Sequence, residues 1–209
     1  MKAKGRDLQF RNEVVSKSAI SIVMPLFNKE REVERAIRSV IAQTFPDYEL
    51  IVINDGSTDK GPRIAGEIKD PRIRIIHQSN GGVSAARNRG IDKAGSNLVA
   101  FLDADDEWKP DYLETVIRLR STFPFCDVFA TKYLYCCREG KTRLPTLTGI
   151  PKSPWEGVLS DYFAIASKSD PPLGTSAVAV TKGAITSIGG FPVGISSGED
   201  LLTWARLAL

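Results

Sequence analysis

Apolar residues follow two patterns in the first half of the chain, continuous short runs and a helical repeat. Four short apolar runs are typical of buried strands, and the longest amphipathic stretch places its apolar side chains on one face of a helix. The predicted strands are residues 20–25, 50–53, 72–77 and 98–102, and the helices between them are residues 30–44, 61–69 and 83–94. Strands that alternate with helices indicate an α/β fold with a doubly wound, mostly parallel sheet and right-handed crossovers.

The second half of the chain has a less regular pattern and predicts a mixed arrangement. A long strand is expected at residues 127–137, which are rich in aromatic and β-branched side chains, and a loop or hairpin return at the Pro-, Gly- and Lys-rich residues 138–154. The other predicted elements are helices at residues 111–123 and 157–166, a strand at 176–181, a short helix ending at 188 and a helix at 201–209.

Composition is that of a soluble globular protein and excludes several partners. Of the 209 residues, 42% are hydrophobic and 25% are charged, and the net charge of +3 is too small to indicate nucleic-acid binding. No apolar run is long enough to span a bilayer, so we expect at most a peripheral membrane contact. Residues 1–17 carry five basic side chains and lack the apolar core of a secretory signal, and residues 1–18 are interpreted as a flexible tail.

The three cysteines do not indicate a disulfide or a zinc site. Cys126, Cys136 and Cys137 form no C-x-x-C pair, and the two adjacent residues would point to opposite faces of a strand. We expect reduced, structural cysteines, which favours a cytoplasmic location, at most at the inner face of the membrane.

An acidic cluster directly follows the fourth apolar run. Asp103, Asp105 and Asp106 lie at the carboxyl end of the predicted strand, which is the edge where open α/β sheets bind ligands. Three like charges this close repel one another unless a cation lies between them. A divalent ion that carries a diphosphate is the expected partner, since Mg²⁺ prefers carboxylate and phosphate oxygens. The alternative for an isolated cluster is a surface turn or a helix cap.

Several motifs in register resemble those of family 2 glycosyltransferases of the GT-A fold. The first four are VMPLFNKE at residues 23–30, VINDGSTD at 52–59, NGGVSAARNRG at 80–90 and LDADD at 102–106. Downstream, TSAVAV at 175–180, GGFP at 189–192 and GED at 198–200 continue the match. The resemblance implies one GT-A domain at residues 19–209, with a nucleotide-sugar-binding half at 19–106 and an acceptor half at 107–209 that is expected to be cut short at its C-terminus.

The resemblance also implies roles for individual residues. The implied donor-binding residues are Pro25, Phe27, Asn28, Glu30, Asp55, Arg87, Asp103 and Asp105. Pro25 begins the loop that receives the nucleoside base, the next three flank the base and ribose, and Asp55 accepts the imide N–H of a uracil. Asp103 binds the ribose hydroxyls, Asp105 holds a divalent metal, either Mn²⁺ or Mg²⁺, and Arg87 approaches the phosphates or the sugar. The role of Asp106 stays open.

Some of these residues also have ordinary structural interpretations. Glu30 suits the first turn of a helix, Asp55 suits an Asx-type turn, and Arg87 suits a solvated helix face.

Asp200 is the implied general base that deprotonates the acceptor hydroxyl. However, residues 197–200 also spell S-x-x-D, which is close to a capping box.

The motifs together predict an inverting glycosyltransferase of the hexosyltransferase type (EC 2.4). A nucleoside diphosphate sugar, with a UDP-sugar favoured, would be the donor, and a saccharide or lipid-linked saccharide in cell-envelope or exopolysaccharide biosynthesis the acceptor. One alternative is a donor-binding but catalytically weak fragment, since only nine residues follow Asp200. The other is a phosphotransferase that uses Asp103 as its nucleophile.

Overall fold

The computed structural model describes residues 18–136, 140–152 and 154–209. Its strands are β1 (Ile20–Leu26), β2 (Tyr48–Asp55), β3 (Ile73–Gln78), β4 (Leu98–Phe101), β5 (Val128–Ala130), β6 (Tyr135–Cys136), β7 (Thr142–Arg143) and β8 (Val178–Thr181). Its helices are α1 (Val33–Ile41), α2 (Gly61–Glu67), α3 (Val83–Lys93), α4 (Tyr112–Thr122), α5 (Tyr162–Ala166), α6 (Lys182–Ser187) and α7 (Glu199–Leu207). Except for residue 18, the predicted tail lies outside the described residues, as does Cys137.

The main sheet of the described chain has six strands in the order β3-β2-β1-β4-β8-β5. Strand β1 pairs parallel with both β2 and β4, and β2 pairs parallel with β3. Strand β8 runs antiparallel to its neighbours β4 and β5. The prediction of a mostly parallel, doubly wound α/β sheet is confirmed, and the carboxyl ends of β1, β2 and β4 lie side by side at one edge.

Alternate residues of the central strands pack on opposite faces of the sheet. In β1, Ile22 and Met24 belong to one apolar cluster and Val23 to the other. The first cluster includes buried side chains of α1 and α4, and the second includes those of α3, α6 and α7. Because helices cover both faces, the strands are apolar at nearly every position and appear in the sequence as continuous runs.

The first-half elements agree with the predicted ones to within a few residues, with one exception. Helix α1 is shorter than the predicted 30–44. At its start, the amide of Glu32 donates to the carbonyl of Lys29 (3.2 Å), so residues 29–32 form a turn before the helix. At its end, the amide of Thr44 donates to the carbonyl of Pro110 (2.9 Å), which draws the chain away from the helix.

The prediction of one long strand at 127–137 was wrong. Residues 128–130 pair with β8 in the main sheet, whereas Tyr135 and Cys136 pair with β7 in a separate two-stranded sheet. Between them the Tyr133 hydroxyl donates to the carbonyl of Pro171 (2.6 Å). The β-forming side chains are therefore divided between two sheets. The hairpin return within 138–154 is confirmed by the β6–β7 pair.

The predicted helix at 157–166 was also too long. Helix α5 has only five residues, since Asp161 adopts an extended backbone and its side chain accepts from the amide of Ala164 (2.8 Å) as the N-cap. No helix in the described part of the chain is long and apolar enough to cross a membrane.

Helix α3 lies against β1 at one position where only glycine fits. A Cβ atom added to Gly90 would lie 2.2 Å from Cγ1 and 2.8 Å from Cγ2 of Val23, which is itself fully buried. Since α3 carries Arg87, this close approach also sets how far that side chain stands from the edge of the sheet.

Replacing Gly90 by alanine tests this approach. Gly90→Ala is expected to lower the free energy of unfolding by ~1–3 kcal/mol, because Val23 has no space into which it can move. The measurement is urea unfolding followed by circular dichroism. Gly66→Ala is the matched control, since its Cβ would meet only Ile75 at 3.8 Å, and it should leave stability unchanged or raise it by up to ~1 kcal/mol. Equal effects of the two substitutions would contradict the packing described.

Candidate active site

A cleft of about 390 Å³ opens at the carboxyl ends of β1, β2 and β4. Its polar and charged lining includes Lys29, Asp55, Asn80, Asp103 and Asp105, and Pro25 and Phe27 are among its apolar lining residues. The three motifs that follow these strands therefore meet at the edge expected from the parallel topology.

Asp55, the last residue of β2, is almost fully buried, with 2% of its surface exposed. Its Oδ1 accepts from the Gln78 side chain (2.7 Å) and the amide of Gly81 (2.9 Å), and its Oδ2 accepts from the amide of Gly82 (2.9 Å). The Asx turn expected of Asp55 is formed by its neighbour instead, since Oδ1 of Asn54 accepts from the amide of Ser57 (3.0 Å). Asp55 thus holds the loop before α3 and reaches the cleft.

Asn28 and Glu30 tie the loop after β1 to the loop after β2. Oδ1 of Asn28 accepts from the amide of Thr58 (2.8 Å), and Oε2 of Glu30 accepts from the amide of Lys60 (3.0 Å). In return, the amide of Glu30 donates to Oδ2 of Asp59 (2.7 Å). Neither side chain lines the cleft, and Glu30 precedes α1, so the first-turn interpretation of Glu30 was wrong. These residues shape the loops beside the cleft.

Each carboxylate of the acidic cluster has its own partner. Nζ of Lys29 lies 2.5 Å from Oδ2 of Asp105, and this hydrogen bond raises the pKa of the Lys29 ammonium. Oδ2 of Asp106 accepts from the Ser176 hydroxyl (2.6 Å). Loss of water raises the pKa of Asp106 above its ordinary value despite that hydrogen bond. The repulsion expected within the cluster is therefore relieved partly by protein groups.

Arg87, which does not line the cleft, is the partner of the third carboxylate, Asp103. Its Nη2 lies 2.8 Å from Oδ1 and 3.1 Å from Oδ2 of Asp103, and its Nη1 lies 2.9 Å from Oε1 of Glu199. The side chain is only 3% exposed, so the solvated-face interpretation was wrong. Burial alone would lower the pKa of the guanidinium, but the two carboxylates raise it above its ordinary value. Arg87 therefore stays charged.

Asp200 lies on helix α7, away from the residues that line the cleft. Its Oδ2 accepts from the Thr175 hydroxyl (2.8 Å) and its Oδ1 from the amide of Leu201 (2.8 Å). The capping box suggested by S-x-x-D is not formed, because the N-cap of α7 is Gly198, in the left-handed conformation, without a side-chain cap. Asp200 follows directly after Glu199, which connects it to Arg87.

A second, larger groove of about 680 Å³ lies between β5, residues 144–152 and 155–159, and α7. Tyr162 and Trp204 are among its lining residues. The pKa of Tyr162 is raised mainly by burial, with a smaller contribution from the charge of Asp200. The groove therefore lies close to the carboxylate predicted to be the base, on the side of the chain predicted to bind the acceptor.

The motifs identified most of the cleft but missed two charged residues. Lys29 lies inside the first motif. Its positive charge, at the same predicted edge of the sheet as the acidic cluster, was the signal that could have identified it. Glu199 lies next to Asp200, yet nothing in the sequence indicates a contact with Arg87, 112 positions away. Among the residues that the structure describes, no group of three His, Cys, Asp or Glu side chains could hold a metal ion on its own.

Solved structures share the fold of this chain. Staphylococcus aureus TarS (residues 1–349), solved in complex with UDP-GlcNAc, superposes with a TM-score of 0.72 at 20% identity, over 90% of this chain and 53% of that one. The mannosyltransferase PcManGT from Pyrobaculum calidifontis, in complex with GDP-Man and Mn²⁺, superposes with a TM-score of 0.66 at 18% identity, over 93% and 53%. At these identities the likeness shows the fold alone, which is GT-A.

Sequence relatives give the family. The chain is 42% identical to the uncharacterized glycosyltransferase YibD of Escherichia coli (strain K12) over 106 residues, which are 50% of this chain and 31% of that protein. The chain thus spans about a third of the relative's length. The family model "Glycosyl transferase family 2" matches residues 21–165, which include β1 to β4 and the cleft. The chain belongs to glycosyl transferase family 2.

Proposed function

We propose that this chain transfers a sugar from a UDP-sugar to an acceptor hydroxyl with inversion at the anomeric carbon. The observation that carries the proposal is the cleft at the ends of β1, β2 and β4. It combines a buried carboxylate that can accept a hydrogen bond, Asp55, with the paired charges of Lys29 and Asp105. The donors bound in the two solved relatives, UDP-GlcNAc and GDP-Man, support a nucleoside diphosphate sugar as the ligand class.

Asp55 is suited to a uracil ring. Each carboxylate oxygen accepts two hydrogen bonds, and Oδ2 of Asp55 accepts only one from the described residues, so one acceptor position remains. The loop amides of Gly81 and Gly82 fix the carboxylate in place. A uracil imide N–H would fill the remaining position, whereas the unprotonated N3 of cytosine, a ring of the same size, would face the carboxylate as a second acceptor.

The acidic cluster is suited to the diphosphate. Asp105 offers carboxylate oxygens to a hard divalent ion, and its partner among the described residues, the ammonium of Lys29, is also a cation. Since one carboxylate cannot complete the coordination, Asp105 fits an ion whose other ligands include phosphate oxygens, and Asp103 is proposed to bind the ribose hydroxyls. When bound, Mn²⁺ or Mg²⁺ would stabilise the charge that builds on the leaving diphosphate. Lys29 places a second positive charge at the same point.

Asp200 is proposed as the general base. Its carboxylate is held by Thr175 and by the first turn of α7, and the large groove, which Trp204 lines one helical turn after Asp200, can admit an acceptor. A base that lies apart from the donor carboxylates suits a single displacement, in which the acceptor hydroxyl attacks the face opposite the leaving group. The acceptor is proposed to be a saccharide or lipid-linked saccharide of cell-envelope or exopolysaccharide biosynthesis.

The phosphotransferase alternative is disfavoured by the pairing of Asp103. Such an enzyme needs a carboxylate free to attack phosphorus, and both oxygens of Asp103 are bound by the Arg87 guanidinium. The nearest substitute, Asp105, is paired with Lys29.

Nucleotide competition tests the role of Asp55. UDP should bind about ten- to a hundredfold more tightly than CDP, since an unsatisfied buried acceptor costs ~1–3 kcal/mol. Displacement of a fluorescent UDP analogue by UDP, CDP, GDP and ADP is the measurement. Asp55→Asn should remove the preference for UDP over CDP. Equal displacement by UDP and CDP in the wild type would refute the assignment.

Calorimetry with and without Mn²⁺ tests Asp105. In the wild type, Mn²⁺ is expected to raise the affinity for UDP by about tenfold or more, which is at least ~1.4 kcal/mol. Asp105→Ala should abolish that gain while uridine, which has no phosphates, binds as before. Glu107→Gln is the control, because Glu107 is exposed and pairs only at the surface with Arg35 (3.4 Å). A full Mn²⁺ effect in Asp105→Ala would contradict the metal assignment.

Asp200→Asn separates binding from transfer. The variant should bind UDP within about twofold of the wild type, because Asp200 does not line the donor cleft, and it should lower kcat by ~10²–10⁴ because the base is lost. UDP release from a panel of UDP-sugars and oligosaccharide acceptors measures the turnover. Asp161→Asn, which changes the cap of α5, serves as the control. Retained turnover in Asp200→Asn would exclude Asp200 as the base.

A further inference from the structure

We propose that Arg87 is a positioning residue that couples the donor cleft to the helix of the catalytic base. Through Asp103 it contacts the edge where the donor binds, and through Glu199 it holds the first residue of α7, next to Asp200. This inference rests on the proposed function, since it assumes a donor at Asp103 and a base at Asp200.

The geometry gives Arg87 no direct route to the donor. Arg87 is not among the residues that line the cleft, and its guanidinium is 3% exposed, whereas Asp103 lines the cleft and is 29% exposed. The ring of Phe191 covers the guanidinium, with Cζ 5.1 Å from the ring centroid. Arg87 therefore acts on bound nucleotide through the carboxylate of Asp103.

The three charges depend on one another. A buried guanidinium without partners is unfavourable, and so are two neighbouring carboxylates without a cation between them. The planar fork of arginine serves both carboxylates at once, with one terminal nitrogen for each, which a lysine ammonium cannot reproduce in the same geometry. Its third nitrogen, Nε, is buried and has no hydrogen-bond partner in the described chain. The polar contacts of the fork within the described residues are therefore with the two carboxylates, and the Phe191 ring packs against its face.

The contacts also join parts of the chain that are far apart in sequence. Asp103 lies 16 positions after Arg87, and Glu199 lies 112 positions after it. The carbonyl of Glu199 accepts from the Thr203 hydroxyl within the same helix (2.7 Å), so among the described residues Arg87 is the polar contact that ties the first residue of α7 to another element. A ligand that hydrogen-bonds to Asp103 changes how strongly that carboxylate holds the guanidinium, and Glu199 responds to the change.

Hydrogen exchange without any ligand tests the connection itself. Asp103→Asn should raise amide exchange in peptides from residues 199–207 by about threefold or more, because Arg87 loses its stronger partner and α7 opens locally. Asp105→Asn, a neutralisation two positions away that does not contact Arg87, is the control and should leave these peptides unchanged. Peptides from β3 report any global loss of stability. Unchanged exchange of α7 in Asp103→Asn would overturn the proposal.

A double-mutant cycle on UDP binding tests the coupling. Glu199→Gln is expected to weaken UDP binding by about fivefold, since the guanidinium then loses one of its two anchors and holds Asp103 less firmly in the orientation that the donor needs. In the Arg87→Lys background the same change should have almost no effect. Arg72→Lys is the matched control background, because Arg72 pairs with Asp70 (2.6 Å) and lies over the Tyr48 ring outside the cleft, and there the effect of Glu199→Gln should persist.

The two measurements separate the possible failures. If Glu199→Gln has the same effect in the wild-type and Arg87→Lys backgrounds, or no effect in either, the coupling is refuted while UDP binding stands. If the wild type binds no nucleotide, the proposed function fails, and the exchange of α7 in Asp103→Asn alone decides whether Arg87 connects the two parts.

Discussion

The site depends on one buried guanidinium. Arg87 joins Asp103, at the end of the strand β4, to Glu199, at the start of the helix α7, and without it two partly buried carboxylates would face each other unpaired. The position of Arg87 is in turn set by the close approach of α3 to β1 at Gly90. The position and charge of Arg87 therefore depend on its burial, on its two carboxylate partners and on the packing of α3 against β1. Arg87 thereby connects the end of β4, which lines the cleft, to the helix that carries the proposed base.

The rest of the cleft is organised before any ligand binds. Asp55 is held by loop amides, Asn28 and Glu30 tie neighbouring loops together, and Lys29 supplies a positive charge to Asp105. A site whose groups are already oriented loses little conformational freedom on binding. The same hydrogen bonds explain why several residues of the first motif contribute to loop structure without lining the cleft.

The sequence predicted the sheet and the cleft better than it predicted the second half. Parallel strands covered on both faces appear as apolar runs, so β1 to β4 and the convergence of Pro25, Asp55 and Asp103 followed from local pattern and topology. Residues 127–137 have the composition of one strand, but their pairing partners are β8 and β7, which lie in different sheets. The contact between Arg87 and Glu199 spans 112 positions, and local periodicity carries no information about it. For Asp55 and Asn54, the pattern identified the turn but not which of the two residues forms it.

The most direct test of this account is nuclear magnetic resonance of the ¹⁵N-labelled chain, titrated first with uridine and then with UDP and Mg²⁺. Uridine should shift the amides of Gly81 and Gly82 beside Asp55. UDP with Mg²⁺ should add shifts at residues 103–106 and, through Arg87, at residues 199–203 of α7. Shifts confined to residues outside the cleft, or a cleft that responds to UDP while α7 stays unchanged, would contradict the account.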